Sequence, residues 1–486
     1  MECGRMNGGL QYEAYLEKNE QALIEGLQKL IRINSEQAEP VRVSEEEIYP
    51  FGQGVQDCFQ ACMDLAKEMG FECTNVDNYG GHIDWPGRSG KVMAIIGHLD
   101  VVPAGSGWDF DPYGGEVKDG YIYGRGTTDD KGPVVSCLYA MKSLKDAGYQ
   151  PENTIRIILG LDEETEWKGM DYYFEKMPRP DYGFTPDADF PVINGEKGMM
   201  VFEIARKFSG KQTGAKGLTL RSLSGGTAPN SVPDRCRAVV RSEAAGAYEA
   251  IRQQSAAYRE ETGYQLSCKG MGKSMEITSA GIASHGAKPE GGLNAVSIMM
   301  DFLGRLNFVS EETNDFIRFY NQYIGFCLDG AALGIDFEDD KSGKMVFNLG
   351  MAEISQEAAR LTVNIRYPVT CTEERIFETL DPVMTKYDLG IVKGKKHDPL
   401  YLDLDNPMVK TMLEVYQKHT GDLESRPLVI GGGTYARSTP GIVAYGAQFP
   451  GDEERMHMKN ERLSLDRLRQ MTAIYAEAIY RLSSGF

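Results

Sequence analysis

The chain has 486 residues, with 71 acidic side chains against 52 basic ones and a net charge of -19. At about 150 residues per domain this length points to two or three domains, and the negative charge argues against nucleic acid or an anionic membrane surface as a partner. Hydrophobic residues at 41% and charged ones at 25% lie near globular averages, enough apolar content for packed cores.

Nine cysteines form an odd set without a C-x-x-C pair, which fits neither a disulfide framework nor a zinc ribbon. The N-terminal stretch MECGRMNGGLQ has no apolar core, and no apolar run approaches the ~20 residues of a membrane span. The expectation is a cytoplasmic protein in a reducing compartment, neither exported nor inserted.

Along the chain, residues 17–33 place Leu23, Ile24, Leu27, Leu30 and Ile31 on one helical face, and 55–69 do the same with Val55, Phe59, Cys62, Ala66 and Met69. Continuous apolar runs at 92–96 and 155–159, separated by a helical stretch near 134–144, alternate as in a parallel α/β sheet. Residues 199–396 have another texture, with strand-like pieces at 200–204 and 358–365 and helices at 245–259 and 293–305. Helices at 406–418 and 466–483 follow, the second burying Leu468, Met471, Tyr475, Ile479 and Leu482. The predicted fold is α/β: a mixed, mostly parallel sheet flanked by helices over 1–198 and 397–486, interrupted by an inserted α+β domain over 199–396.

In open α/β sheets ligand chemistry gathers where strands end. The run 92–96 leads into GHLDVVP, where His98 and Asp100 stand two apart and share one side of an extended chain, so the carboxylate can orient the imidazole. The run 155–159 leads into LDEETEW with Glu163 and Glu164, GRGTTDDKGP supplies Asp129 and Asp130, and PDADFP supplies Asp187. Singly, each is the kind of acid a solvated face carries. Together, in a chain with only six histidines, they describe a hard nitrogen-and-oxygen metal site. GHIDW, with His82 and Asp84, repeats the spacing after a Tyr-Gly-Gly turn and reads as structural. GMGKS at 270–274 has Ser267 where a phosphate-binding loop needs glycine, and neither a G-x-S-x-G elbow nor an H-E-x-x-H helix is present.

In order and spacing, GHLDVVP, GRGTTDDKGP, LDEETEWKGM, PDADFPVINGEKG, GGGTYAR and FPGDEERMHMKNE resemble the co-catalytic dinuclear zinc peptidases and amidases, above all the peptidase V-like and carnosinase-type bacterial dipeptidases. GGTAPNSVP, GIASHGAKPEGGLNA and LTVNIRYP extend the likeness into the insertion. The resemblance implies that Asp129 bridges two divalent ions, with His98 and Asp187 on one and Glu164 and His457 on the other. Zinc suits these ligands, with manganese or cobalt as alternatives. It further implies that Asp100 fixes the His98 ring, that a cis peptide follows Asp129, and that Glu163 is the general base toward a metal-activated water. His285 from the insertion would stabilise the oxyanion, which makes the insertion a lid. Asn230, Arg366 and the 432–434 turn (Gly432, Gly433, Thr434) would grip the substrate's free carboxylate.

The function so implied is hydrolysis of unblocked dipeptides by a monomer whose lid histidine acts in cis. The alternative within enzymes is an N-acyl amino acid deacylase or desuccinylase. A metal-dependent binding protein is disfavoured, since a binder needs no base beside the metal.

Overall fold

The computed structural model describes residues 12–45, 47–209 and 217–485. The chain divides into two compact units: Met1–Gly195, Tyr401–Val429 and Gly433–Phe486 form the first, Glu196–Leu400 and Ile430–Gly432 the second. The expected insertion thus runs a few residues longer at each end. It also regains Ile430–Gly432, a return expected in the catalytic part and not announced by composition.

The first unit is built on a nine-stranded sheet. Its centre is parallel: Ile442–Ala444, Tyr182–Thr185, Val92–His98 and Thr154–Gly160 lie side by side in that order. Gly80–Trp85 and Glu72–Val76 extend it antiparallel on one side, and Ile193–Glu196 joins antiparallel on the other. A strand covered on both faces reads as an unbroken apolar run, which is how Val92–His98 appears, buried at every position after the first. The chain crosses to its parallel neighbour through helix Lys131–Asp146, since parallel strands need a long connection. Pairing of Val92 with Thr154 through His98 with Gly160 brings both strands to the same edge at the same level.

Helices Glu13–Ile31, Gln53–Glu68, Pro407–Thr420 and Leu465–Ser483 complete the layers, burying Leu27, Phe59, Met412 and Tyr475 against sheet residues such as Ile95 and Ile157. The last helix buries the five residues its periodicity marked. His82 lies inside strand Gly80–Trp85, where its Nδ1 is 2.9 Å from the Tyr173 hydroxyl and away from the strand ends, a structural placement.

The second unit is an eight-stranded antiparallel sheet, ordered Gln265–Met271, Ser274–Ala280, Arg235–Arg241, Thr219–Gly225, Val346–Ser355, Ala358–Tyr367, Gly198–Lys207 and Gly390–His397. Strand Gly198–Lys207 alternates buried and half-buried positions, as a sheet with one face on a core requires. That core joins Phe202, Leu361 and Val363 to Ile298 and Phe302 of helix Ala295–Leu303 and Phe316 of helix Glu311–Tyr323. GMGKS is a hairpin, with Met271 paired to Ser274 across Gly272 at φ 60°.

All eight cysteines among the described residues are free; Cys3 lies outside them. No helix of the described residues is long and apolar enough to cross a membrane.

Candidate active site

Three parallel strands deliver the first side chains. His98 is the last residue of its strand and wholly buried. Its Nε2 lies 2.9 Å from Asp129 Oδ1 and 3.8 Å from Asp187 Oδ2, and its Nδ1 lies 3.0 Å from the Asp100 carbonyl and 3.4 Å from Asp100 Oδ1. Asp187 follows strand Tyr182–Thr185, whose parallel pairing with Met93–Ile95 carries it to the same edge. Asp129 ends the loop before helix Lys131–Asp146, and the Asp129–Asp130 peptide is cis. Asp130 turns inward, and its Oδ2 accepts the His98 backbone N–H at 3.1 Å. That approach needs a glycine at 97, where a Cβ would stand 2.6 Å from the same oxygen.

The turn after strand Thr154–Gly160 carries Glu163 and Glu164. Asp162 closes it, its carbonyl accepting from Thr165 and Trp167 and its Oδ1 from the Gly169 amide. Asp100 fixes it from the other side: Oδ1 accepts the Glu163 N–H and Oδ2 the Glu164 N–H, both at 3.1 Å. His457, more than half exposed at 54%, reaches in from a distant loop, its Nε2 2.8 Å from Asp129 Oδ2 and 3.1 Å from Glu164 Oε1.

Among the described residues two groups could hold a metal ion, His98 with Asp129 and Asp187, and Asp129 with Glu164 and His457, and they share Asp129. Each offers nitrogen and oxygen donors of the kind zinc, manganese and cobalt accept. The electrostatics also suit cations. Burial, then the Asp129 charge, pushes Asp187 up to about 7. Burial followed by the charge of Asp187 raises Glu163 well above the ordinary carboxyl range, and burial followed by Asp129 raises Glu164. Hydrogen bonds donated to the carboxylates of Asp129 and Glu164 push His457 up to about 11. Burial alone would lower His98, but its bonds to Asp100 and Asp129 raise it well above its usual value. Negative charge is crowded here beyond what two imidazoles relieve, and a positive charge is the natural complement.

Five buried residues behind these groups escaped sequence reasoning. Glu461 and Arg125 form a buried pair at 2.6 Å, and Lys131 donates to the carbonyls of Leu30 and Ile33. Asp162 ties the turn just described. Tyr435 packs edge-on against His98 with ring centroids 6.3 Å apart, and against Trp167 at 5.2 Å. All five stand inside the quoted motifs, yet nothing local distinguishes them from neighbours of the same type.

The remaining predicted residues divide between the units. Gly433 and Thr434 belong to the first, where the Thr434 hydroxyl accepts the Ala436 N–H at 3.1 Å and caps the turn Tyr435–Ser438. Asn230, His285, Arg366 and Gly432 belong to the second. There the Asn230 carbonyl accepts the Gly286 N–H at 2.7 Å, and a Cβ on Gly431 would lie 3.6 Å from both Ala287 and Arg366. These segments therefore gather at one end of the second sheet. His285 is exposed, and its Nδ1 accepts the Ala287 N–H at 3.2 Å, which leaves Nε2 to carry the proton of the neutral ring.

Known proteins are similar to this chain in sequence or in fold. The chain is 36% identical over 480 residues to the Beta-Ala-Xaa dipeptidase of Lactobacillus delbrueckii subsp. lactis, covering 98% of each chain. Its fold is similar to that of the aminoacylhistidine dipeptidase from Vibrio alginolyticus, with a TM-score of 0.57, 15% identity and coverage of 95% of this chain and 96% of that one. It is also similar to human carnosine dipeptidase 1, with a TM-score of 0.56, 15% identity and coverage of 97% and 98%. The model for peptidase family M20/M25/M40 matches residues 94–481, well over half of the sequence, and the chain belongs to that family.

Proposed function

We propose that this chain is a metal-dependent dipeptidase that cleaves unblocked dipeptides, with Glu163 as its general base. The carrying observation is the Asp129 carboxylate, one oxygen toward His98 and the other toward His457, with Glu163 on the adjoining turn. His98, Asp129 and Asp187 would hold one divalent ion, and Asp129, Glu164 and His457 a second, zinc before manganese or cobalt. Such ions, when bound, polarise a water and the scissile carbonyl.

Within that site Glu163 takes the proton of the attacking water and returns it to the leaving amine. Burial and then the charge of Asp187 raise Glu163 above the ordinary carboxyl range, and positive charge beside Asp187 would draw it back toward that range. Asp100 acts on both ends of this arrangement, through the His98 ring and the amides of Glu163 and Glu164. The protonated Nε2 of His285 serves as oxyanion donor, and Arg366 with Asn230 and the 432–434 turn (Gly432, Gly433, Thr434) holds the substrate carboxylate. In this reading the second unit is a lid and its histidine acts in cis, so the active species is a monomer. The 36%-identical relative named for β-Ala-Xaa hydrolysis supports a substrate with a free amine.

The test is hydrolysis of a panel of unblocked dipeptides and N-acyl amino acids by metal-loaded protein, alongside Glu163→Ala. Dipeptide cleavage that disappears in the variant is expected; cleavage of acylated substrates alone makes the enzyme a deacylase. Light scattering that shows a dimer whose dissociation abolishes activity would overturn the monomer.

A further inference from the structure

We infer that Glu461 is a positioning residue that sets the bridging carboxylate of Asp129 against His457, and so controls occupancy of the His457 side of the metal site. The inference rests on the metal-site reading above.

Glu461 is wholly buried, where an acid persists only with full hydrogen bonding. Its Oε2 accepts from Arg125 Nη1 at 2.6 Å. Its Oε1 accepts the backbone N–H groups of Gly126, Thr128 and Asp129 at 3.1, 2.9 and 3.4 Å, and its own carbonyl accepts from Gly124 at 3.0 Å. One side chain thus grips the loop that ends in Asp129. It stands four residues after His457, just before the short strand Arg462–Ser464 that pairs with Tyr121–Tyr123. Arg125 continues the clamp, its guanidinium 5.3 Å from the centroid of Trp108. Asn460 and Asp109 exchange two bonds of 2.8 and 2.7 Å beside it.

The two ligand clusters do not depend on this clamp equally. His98 and Asp187 stand at the ends of adjacent parallel strands, and His98 is also held by Asp100 and Asp130. His457 lies on an exposed loop at a positive φ of 60°, and Glu461 is the buried anchor nearest to it in sequence. Releasing Glu461 therefore loosens both Asp129 and His457, while the other cluster keeps His98 and Asp187 in place at their strand ends, so the His457 side loses more.

The experiment is a Zn²⁺ titration of metal-free wild type and Glu461→Gln against a chromophoric chelator, with circular dichroism to verify the fold. Wild type should bind two ions. The variant should bind its second ion about 10–100-fold more weakly, the range typical for residues that support metal ligands, and its first ion with a clearly smaller loss. Two unchanged affinities in a folded variant with a lowered melting temperature would reduce Glu461 to a structural role and overturn the inference. Should Glu461→Gln fail to fold, Arg125→Lys keeps the carboxylate and a positive charge but loses the guanidinium fork; a weakened second ion supports the inference and an unchanged one overturns it. Wild type that binds fewer than two ions would overturn the site reading and this inference with it. Since no substrate is used, failure of the dipeptidase assignment alone leaves the result standing.

Discussion

The Asp100 carboxylate accepts the backbone N–H of Glu163 at 3.1 Å, so the residue that orients His98 also fixes the turn bearing the proposed base. Asp100→Ala should lower kcat and metal affinity together, each about 10–100-fold, because the variant removes the carboxylate contact to the His98 ring and both amide bonds of the turn at once, leaving only the backbone carbonyl at Nδ1. Steady-state kinetics and metal titration check this, and loss of only one of the two would separate the functions assigned to Asp100.

Glu163 stands beside the ligands without belonging to either cluster. Glu163→Gln should keep the wild-type metal content and lose about 10²–10⁴-fold in kcat, the usual contribution of a positioned acid–base group. Elemental analysis of purified variant and wild type, beside their rates, tests it; a fall in metal content would make Glu163 a ligand.

Removal of metal should cost stability as well as activity. The raised pKa values of Asp187, Glu163 and Glu164 show carboxylates already held against burial and one another, and a ligand bound only by the folded state stabilises it by about 2.7 kcal/mol at 100 times its Kd. A chelator should lower the unfolding midpoint, and added Zn²⁺ or Mn²⁺ should restore it. An unmoved midpoint would argue that no ion binds these residues.

His82 gives the fold a defined acid sensitivity. Burial, then the Arg156 charge, holds its pKa down to about 4 against an ordinary 6.5, with Tyr173 on Nδ1 and Asp84 at 3.7 Å from Nε2. Between those values the unfolded chain binds the proton that the folded one refuses. This contribution to stability is complete above pH 6.5 and is lost as pH falls toward 4. Urea unfolding of wild type and His82→Gln from pH 4 to 7 should show a shallower pH dependence in the variant.

A methyl group at position 160 has no room. A Cβ there would lie 2.2 Å from Tyr435 Cε2, and that ring also leans on His98. Gly160→Ala should destabilise by about 1–3 kcal/mol as an overpacked site, readable by denaturant unfolding. Gly160→Ala combined with Tyr435→Leu should recover part of the loss, which a backbone effect at position 160 would not allow.

What could be read in advance followed short-range rules. Strand Val92–His98 and the last helix announce themselves by apolar runs and period, and the residues at strand ends follow from where parallel sheets place their edges. Pairing His457 with Asp129 came through family likeness, since nothing in the 457–461 segment shows which distant loop it meets. Glu461 was invisible for the same reason: in a chain with 71 acids, only a partner 336 residues away at Arg125 marks one as buried. The return at Ile430–Gly432 is likewise a property of tertiary pairing, because three residues carry no compositional signature.

The distance along the chain between ligands also sets the order in which a ribosome delivers them. Glu164 and His457 are 293 positions apart, so at about 5–20 residues per second roughly 15–60 s separate their synthesis, and His98, Asp129 and Asp187 are also made before His457. During translation the half-built centre can offer one complete cluster, and loading of the other awaits the closing stretch of synthesis.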